Sequence, residues 1–279
     1  MTDINPLRDA GPAAPWRTCP ASRLAGLHGI FTDVDDTLTR DGAIEPAALA
    51  ALRALRQAGV PVIAVTGRPM GWSRPFAREW PLEAIVAENG AVALRREAGA
   101  SDGLRIDYLQ DEATRERNAR QLQDAARRIL ARLPHARLAQ DSPGRVTDIA
   151  VDHSEHARLD DADIATVVAL MREAGMTATV SSIHVNGWFG DHDKWAGARW
   201  ALRLLHGREL QPEAGRWLFV GDSTNDQVMF ERFPLSVGVA NLRRFAAQLR
   251  VWPAYLTEAE RGEGFAEVAR AVLAARGAA

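Results

Sequence analysis

The stretch Asp33-Val34-Asp35-Asp36-Thr37-Leu38-Thr39 puts three carboxylates within four residues, just after the apolar run Leu27 to Phe31. If that run is a buried strand, residues two apart face the same side, so Asp33 and Asp35 share one crevice. Two anions buried together are costly unless a cation or a proton compensates. A divalent metal on oxygen ligands is the economical compensation, and it leaves one carboxylate to act on a substrate. That combination is phosphoryl-transfer chemistry. Asp36 taken alone fits a turn or a helix start equally well, so other segments must decide.

Three further stretches carry the right kinds of side chain. Thr66-Gly67-Arg68 follows the β-branched run Val60 to Val65, and Gly221-Asp222-Ser223-Thr224-Asn225-Asp226 follows the apolar run ending at Val220. Lys194 sits where a helix begins. The helix macrodipole disfavours a cation at that end, and a nearby anion such as phosphate would relieve it.

The elements that must position these residues follow from the hydrophobic pattern. From Leu27, apolar runs alternate with helical spacing, as in Pro46 to Ala58 with Pro46 in its first turn and Gly59 past its end. Such alternation predicts an α/β fold: a parallel, Rossmann-like sheet with helices on both faces. Ligands of such sheets bind outside the carboxyl ends of the strands, where Asp33, Asp35, Thr66 and Asp222 fall. The middle of the chain differs. Charged helices over Asp111 to Leu133 and Arg158 to Ala174 accompany alternating segments at Arg145 to Asp152 and Met176 to Trp188, the pattern of a small antiparallel sheet. The expected division is an irregular tail at 1–23, a catalytic core at 24–94 and 191–279, and an inserted α+β cap at 95–190.

Composition narrows the class. A chain of 279 residues with 47% hydrophobic and 25% charged residues is ordinary for a soluble globular protein. A formal net charge of −2 gives no general nucleic-acid surface, and Arg115, Arg117, Arg120, Arg127 and Arg128 read as a solvated helix face interleaved with acids. The single Cys19 excludes an internal disulfide and a cysteine-cluster zinc site. No apolar run approaches the length of a membrane helix, and Asp3, Arg8 and Asp9 replace a signal-peptide apolar segment. A soluble, cytoplasmic protein with neither nucleic-acid nor membrane partners is expected; the oligomeric state is open.

Taken in order, Asp33-x-Asp35-Asp36-Thr37-Leu38, Thr66-Gly67-Arg68, Lys194 and Gly221-Asp222-Ser223-x-Asn225-Asp226 resemble the four motifs of the haloacid dehalogenase-like phosphohydrolases. The similarity runs from about residue 27 to the end of the chain and takes in Glu88-Asn89-Gly90. A lobe inserted between the second and third motifs resembles the type IIB cap subgroup, which includes Cof-like sugar-phosphate phosphatases, mannosyl-3-phosphoglycerate phosphatase, sucrose-phosphate phosphatase and phosphomannomutases. The family often has Gly where this chain has Asp36. The resemblance implies that Asp33 is the nucleophile and that Asp35 serves as acid and then base. It implies Mg²⁺ held by Asp33, the Asp35 carbonyl and Asp222, with Thr66 and Lys194 on the phosphoryl group. Asp36, Gly67, Arg68, Asn225 and Asp226 are then expected near the phosphate or behind its ligands.

On that basis the expected activity is Mg²⁺-dependent hydrolysis of a small phosphate ester, a sugar or polyol phosphate. The alternatives are a sugar phosphomutase, which needs a second phosphate grip in the cap, and a non-catalytic phosphate-ester-binding protein. Arg145, Asp148, His184 and Asn186 (with His153 beside them) are the cap candidates for substrate contact. His153 and His156, three apart, are a weaker metal pair.

Overall fold

The computed structural model describes residues 13–277. β1 (Ala14–Pro15) and α1 (Ala21–Ala25) lead to β2 (Gly29–Thr32), the hairpin β3 (Thr39–Arg40) and β4 (Ala43–Ile44), and α2 (Pro46–Gln57). Next come β5 (Val62–Val65), α3 (Met70–Glu79), β6 (Ala84–Ala87), β7 (Val92–Arg96) and β8 (Leu104–Tyr108). The inserted unit holds α4 (Glu112–Arg132), β9 (Arg137–Leu138), β10 (Asp148–Asp152), α5 (Asp161–Glu173), β11 (Thr177–Val180) and β12 (His184–Trp188). The chain returns through α6 (Lys194–His206), α7 (Leu210–Glu213), β13 (Trp217–Gly221), α8 (Gln227–Arg232), β14 (Leu235–Gly238), β15 (Tyr255–Leu256) and α9 (Arg261–Ala275).

The main sheet has the order β1-β15-β14-β13-β2-β5-β6-β7-β8. Its strands are parallel from β1 to β6, and β7 and β8 are antiparallel additions at one edge. The expected α/β class is therefore borne out. Strands β2, β5, β6, β13 and β14 are buried at every residue, which is why they read as continuous apolar runs. Alternation along each strand divides the core. Ile30, Ala64 and Val220 pack with α2 and α9, whereas Phe31, Val65 and Phe219 pack with α6 and α8.

After β2 the chain runs outward through β5 and β6, and later returns to the other side of β2 through β13 and β14. The strand order thus reverses between β2 and β13, which is where such sheets open a crevice at their carboxyl ends. In the inserted unit the order is β11-β12-β10-β9, all antiparallel. Leu122, Ile129, Val167 and Met171 of α4 and α5 bury one face of that sheet against Val151 and Val185.

Two boundaries differ from expectation. Residues 104–108, assigned to the cap, extend the main sheet as β8 in antiparallel register with β7. Arg105 and Asp107 on this outermost strand reach solvent, so it lacks the apolar signature of the inner strands. The tail at 1–23 is only partly described. From residue 13 it is ordered: β1 pairs with β15, and buried Trp16 meets Tyr255 edge-on with ring centroids 5.6 Å apart. Residues 1–12 lie outside the described part.

Candidate active site

Asp33 directly follows β2 and donates its backbone N–H to the Val220 carbonyl of β13 at 2.8 Å, fixing it at the reversal point. Lys194, the first residue of α6, is buried, and its Nζ donates to Asp33 Oδ1 at 2.5 Å and to Asp226 Oδ1 at 2.7 Å. The two carboxylates, with Asp193 Oδ1 capping the Ala196 N–H at 2.8 Å, offset the dipole penalty of a lysine at a helix start. Close backbone approach sets the height of this helix. Gly90 takes φ +110° against Gly197 of α6, and a Cβ on Gly197 would overlap the Gly90 Cα, so no larger residue fits there.

Asp226 is fully committed. Its other oxygen accepts from the Asp222 and Ser223 backbone N–H groups at 2.9 and 3.2 Å. Asp222 is not: Oδ2 accepts from Asn241 Nδ2 at 3.2 Å, but Oδ1 is buried without a hydrogen-bond partner. Burial pushes Asp33 up to about 8; Lys194 opposes the shift, and Asp226 and Asp35 add to it. Burial also raises Asp222 well above the carboxylate range, helped by Asp33, Asp226 and Asp36. Burial alone would lower the Lys194 ammonium, but Asp226 and Asp33 outweigh it and hold it raised. Three buried acids face one lysine. Carboxylate oxygens of Asp33, Asp222 and Asp226 lie within 4.8 Å of one another, so the orphaned Asp222 oxygen and the second oxygen of Asp33 suit a hard, oxygen-seeking cation.

At the end of β5, the Thr66 backbone N–H bonds the Val86 carbonyl, and its hydroxyl accepts from the Arg68 N–H at 3.0 Å. Arg68 Nε donates to both oxygens of Asp35 at 2.9 and 3.0 Å. Asp36 turns at φ +54°, a conformation natural to Gly and tolerated by Asp, and its carboxylate accepts from Arg261 Nε at 2.6 Å. Asn225 accepts from the Ser223 hydroxyl at 2.8 Å, and the acid on Lys194 is Asp226.

The model of the haloacid dehalogenase-like hydrolases matches residues 30–115, which include Asp33 to Leu38 and Thr66 to Arg68. Over that segment the chain is similar to the haloacid dehalogenase-like hydrolases. Among curated proteins, a phosphoglycolate phosphatase of Methanopyrus kandleri is 25% identical over 247 residues, 88% of this chain and 96% of that one. A solved protein of Thermoplasma acidophilum superposes with a TM-score of 0.65 at 18% identity, covering 88% of this chain and 98% of its own. The sucrose-phosphatase of Synechocystis, solved with sucrose and phosphate, gives 0.61 at 16% identity, with coverage of 88% and 98%.

In this chain the candidates of the inserted unit turn inward. Arg145 Nη1 donates to the Gly67 carbonyl at 3.0 Å and to both Asp148 oxygens at 2.9 and 3.0 Å, and Nη2 donates to Asp141 at 3.0 Å. Asn186 Nδ2 reaches Asp148 at 3.3 Å and the Gly67 carbonyl at 3.4 Å. Burial pushes Asp148 up to about 6, against Arg145 and with help from Glu88. Arg145 and Asn186 grip the loop after Thr66, and Asp148 holds both of them. His184 Nε2 lies 2.9 Å from Glu155. His153 bonds the Ser181 carbonyl from a buried position while His156 is exposed, so the two rings are not gathered around one point.

Arg68 was expected near the phosphate, but several of the site's other participants escaped the sequence reading. Arg68 donates Nη2 to Glu155 at 2.6 Å and Nη1 to Asp141 at 3.2 Å while stacking on Trp72, so the main-sheet unit and the inserted unit share one guanidinium. Burial would raise Glu155, but His184 and Arg68 bring it down to about 2. Buried Glu88, noted only within a motif, accepts from the Met70, Val146 and Thr147 backbone N–H groups and from the Thr147 hydroxyl. Asn241 and Arg261 hold the Asp36 turn. Glu155 lies between His153 and His156 in the sequence; the others sit in loops or, as Arg261 does, at a helix start, where local periodicity gives no sign. With the cap so held, the cavity between Asp33, Asp35, Gly67 and Ile183 is about 10 Å³, room for roughly one water.

Proposed function

We propose that this protein is a Mg²⁺-dependent phosphatase acting on a small phosphate monoester, a sugar or polyol phosphate, through an aspartyl-phosphate on Asp33. The observation that carries this reading is the buried cluster in which Lys194 bridges Asp33 and Asp226 while Asp222 keeps an unpaired oxygen. Phosphatase names among the relatives support it.

Asp33, Asp222 and the Asp35 backbone carbonyl would hold Mg²⁺, which neutralises charge between nucleophile and phosphate and keeps Asp33 ionised. Asp33 attacks phosphorus, and Lys194 and the Thr66 hydroxyl stabilise the charge on the transferred group. Asp35 gives a proton to the leaving oxygen and then takes one from the water that cleaves the acyl phosphate. Arg68 donates to both Asp35 oxygens and so orients the carboxylate. Residues 109–190 serve as the cap that opens to admit substrate and closes against water. A phosphorylated metabolite as substrate goes with the cytoplasmic location expected from the sequence.

For the mutase alternative, Arg145 does not serve as the second phosphate grip, because it is spent on Gly67, Asp148 and Asp141. For the phosphatase, purified protein with Mg²⁺ hydrolyses para-nitrophenyl phosphate, and Asp33→Asn lowers kcat by about 10⁴-fold or more, the scale of losing a nucleophile. Equal turnover by Asp33→Asn would remove the assignment.

A further inference from the structure

The small cavity at Asp33 adjoins a larger one of about 410 Å³, and Asp35, Ser182 and Ile183 line both. A phosphate against Asp33, with its ester oxygen beside Asp35, would send the rest of the ester into the larger space. The charges of that wall divide into used and unused. Asp35 and Glu155 are both paired with Arg68, and Asp36 is paired with Arg261.

Two guanidinium groups remain. Arg158 of the cap is exposed and forms no ion pair among the described residues. Arg244 of the core has only Glu260, at 3.3 Å with side chains 48% and 49% exposed, a solvent-screened pair that gives way readily. Against them stands one unpaired carboxylate, Asp41, exposed at the turn of the β3–β4 hairpin. Among the described residues, no Phe, Tyr or Trp lines the cavity, its one aromatic ring is the exposed His156 imidazole, and Ile183 is its one aliphatic side chain. Beyond that single exposed imidazole the wall offers no face on which a sugar ring or base would stack, and it favours a short, charged group.

We infer that this cavity is a subsite for a second anionic group on the substrate, a carboxylate or a second phosphate, taken by Arg158 from the cap and Arg244 from the core. The inference rests on the phosphatase reading and narrows its substrate class. With one arginine on each side, the anion also ties cap to core when the site is loaded.

The test compares matched pairs of esters. Phosphoglycolate is set against ethylene glycol monophosphate, and glycerol bisphosphate against glycerol monophosphate. For at least one pair, kcat/KM for the anionic member is expected to exceed that of its neutral mate by about tenfold, and the larger ratio identifies the anion. That ratio should collapse in Arg158→Gln and in Arg244→Gln. Calorimetry on the Asp33→Asn protein should show the same preference in Kd, without turnover. Ratios near one in both pairs and in Kd, or a preference untouched by both substitutions, would overturn the subsite. Turnover of the neutral esters that depends on Asp33 would then leave the phosphatase reading standing.

Discussion

Two buried clusters in this molecule share a recipe and differ in what they leave over. At the strand ends, Asp33, Asp222 and Asp226 surround Lys194; at the hinge, the seam where Gly67 and Glu88 of the main unit meet residues 141–148, Glu88, Asp141 and Asp148 surround Arg145. The hinge closes on itself. Arg145 divides its fork among two carboxylates and the Gly67 carbonyl, and Glu88 is saturated by four donors from α3 and the approach to β10. The strand-end cluster does not close, because a lysine is a compact charge whose donors are spent on two acids. The third acid, Asp222, keeps an unpaired oxygen, and Asp33 is pushed up to about 8, whereas Asp148 reaches only about 6. A buried cluster completed by its own partners holds the fold; one left incomplete is where a ligand belongs.

Breaking the open cluster should have the largest effect. Lys194→Met leaves Asp33 and Asp226 buried without their cation, and removing one partner of a buried pair costs about 3–5 kcal/mol. Urea denaturation without metal should show that loss, and kcat should fall to background. A variant with unchanged stability would mean that the acids were never charged together.

Breaking the closed cluster should separate stability from chemistry. Arg145→Met strands Asp148 and Asp141 and frees the Gly67 carbonyl, so stability falls by a similar 3–5 kcal/mol. Because Asp33, Lys194 and Asp222 are untouched, KM for para-nitrophenyl phosphate should rise more than kcat falls. A loss of kcat as complete as in Lys194→Met would erase the distinction between the clusters.

The difference also explains what was legible in the sequence. Strands β2, β5 and β13 are buried on both faces, so they appear as apolar runs, and Asp33, Thr66 and Asp222 follow them at once. The structure brings Asp33, Lys194, Asp222 and Asp226 together, though Lys194 is distant in sequence from both acids it bonds. The hinge was opaque because its contacts join positions with no shared periodicity: Arg68 to Asp141 and Glu155, Glu88 to Val146 and Thr147, Arg145 to Gly67. Arg145 looked like a substrate ligand because a sequence does not show which polar side chains are already spent, whereas Asn186 and His184 do line the small cavity at Asp33. The charged edge strand β8 was hidden for a related reason, since a half-solvated strand resembles a loop or a lobe.

A smaller effect sharpens the comparison through pH. Asp148 has a folded-state pKa near 6, above its ordinary value of 3.8, so the folded chain binds the extra proton between those limits. Its contribution to stability is therefore fully present below about pH 4 and is lost as pH rises through 6. Asp148→Asn removes that titration. The parent should lose stability relative to the variant between pH 4 and 6.5 in paired urea melts, and parallel curves would show that Asp148 does not titrate in that window.

The claim that the strand-end cluster is completed by a divalent cation is tested most directly by calorimetric titration of Mg²⁺ into the parent and into Asp222→Asn at pH 7.5. One ion should bind per parent chain, and Asp222→Asn should show no measurable binding while melting cooperatively. Absence of binding to the parent, or equal affinity in the two proteins, would contradict the account.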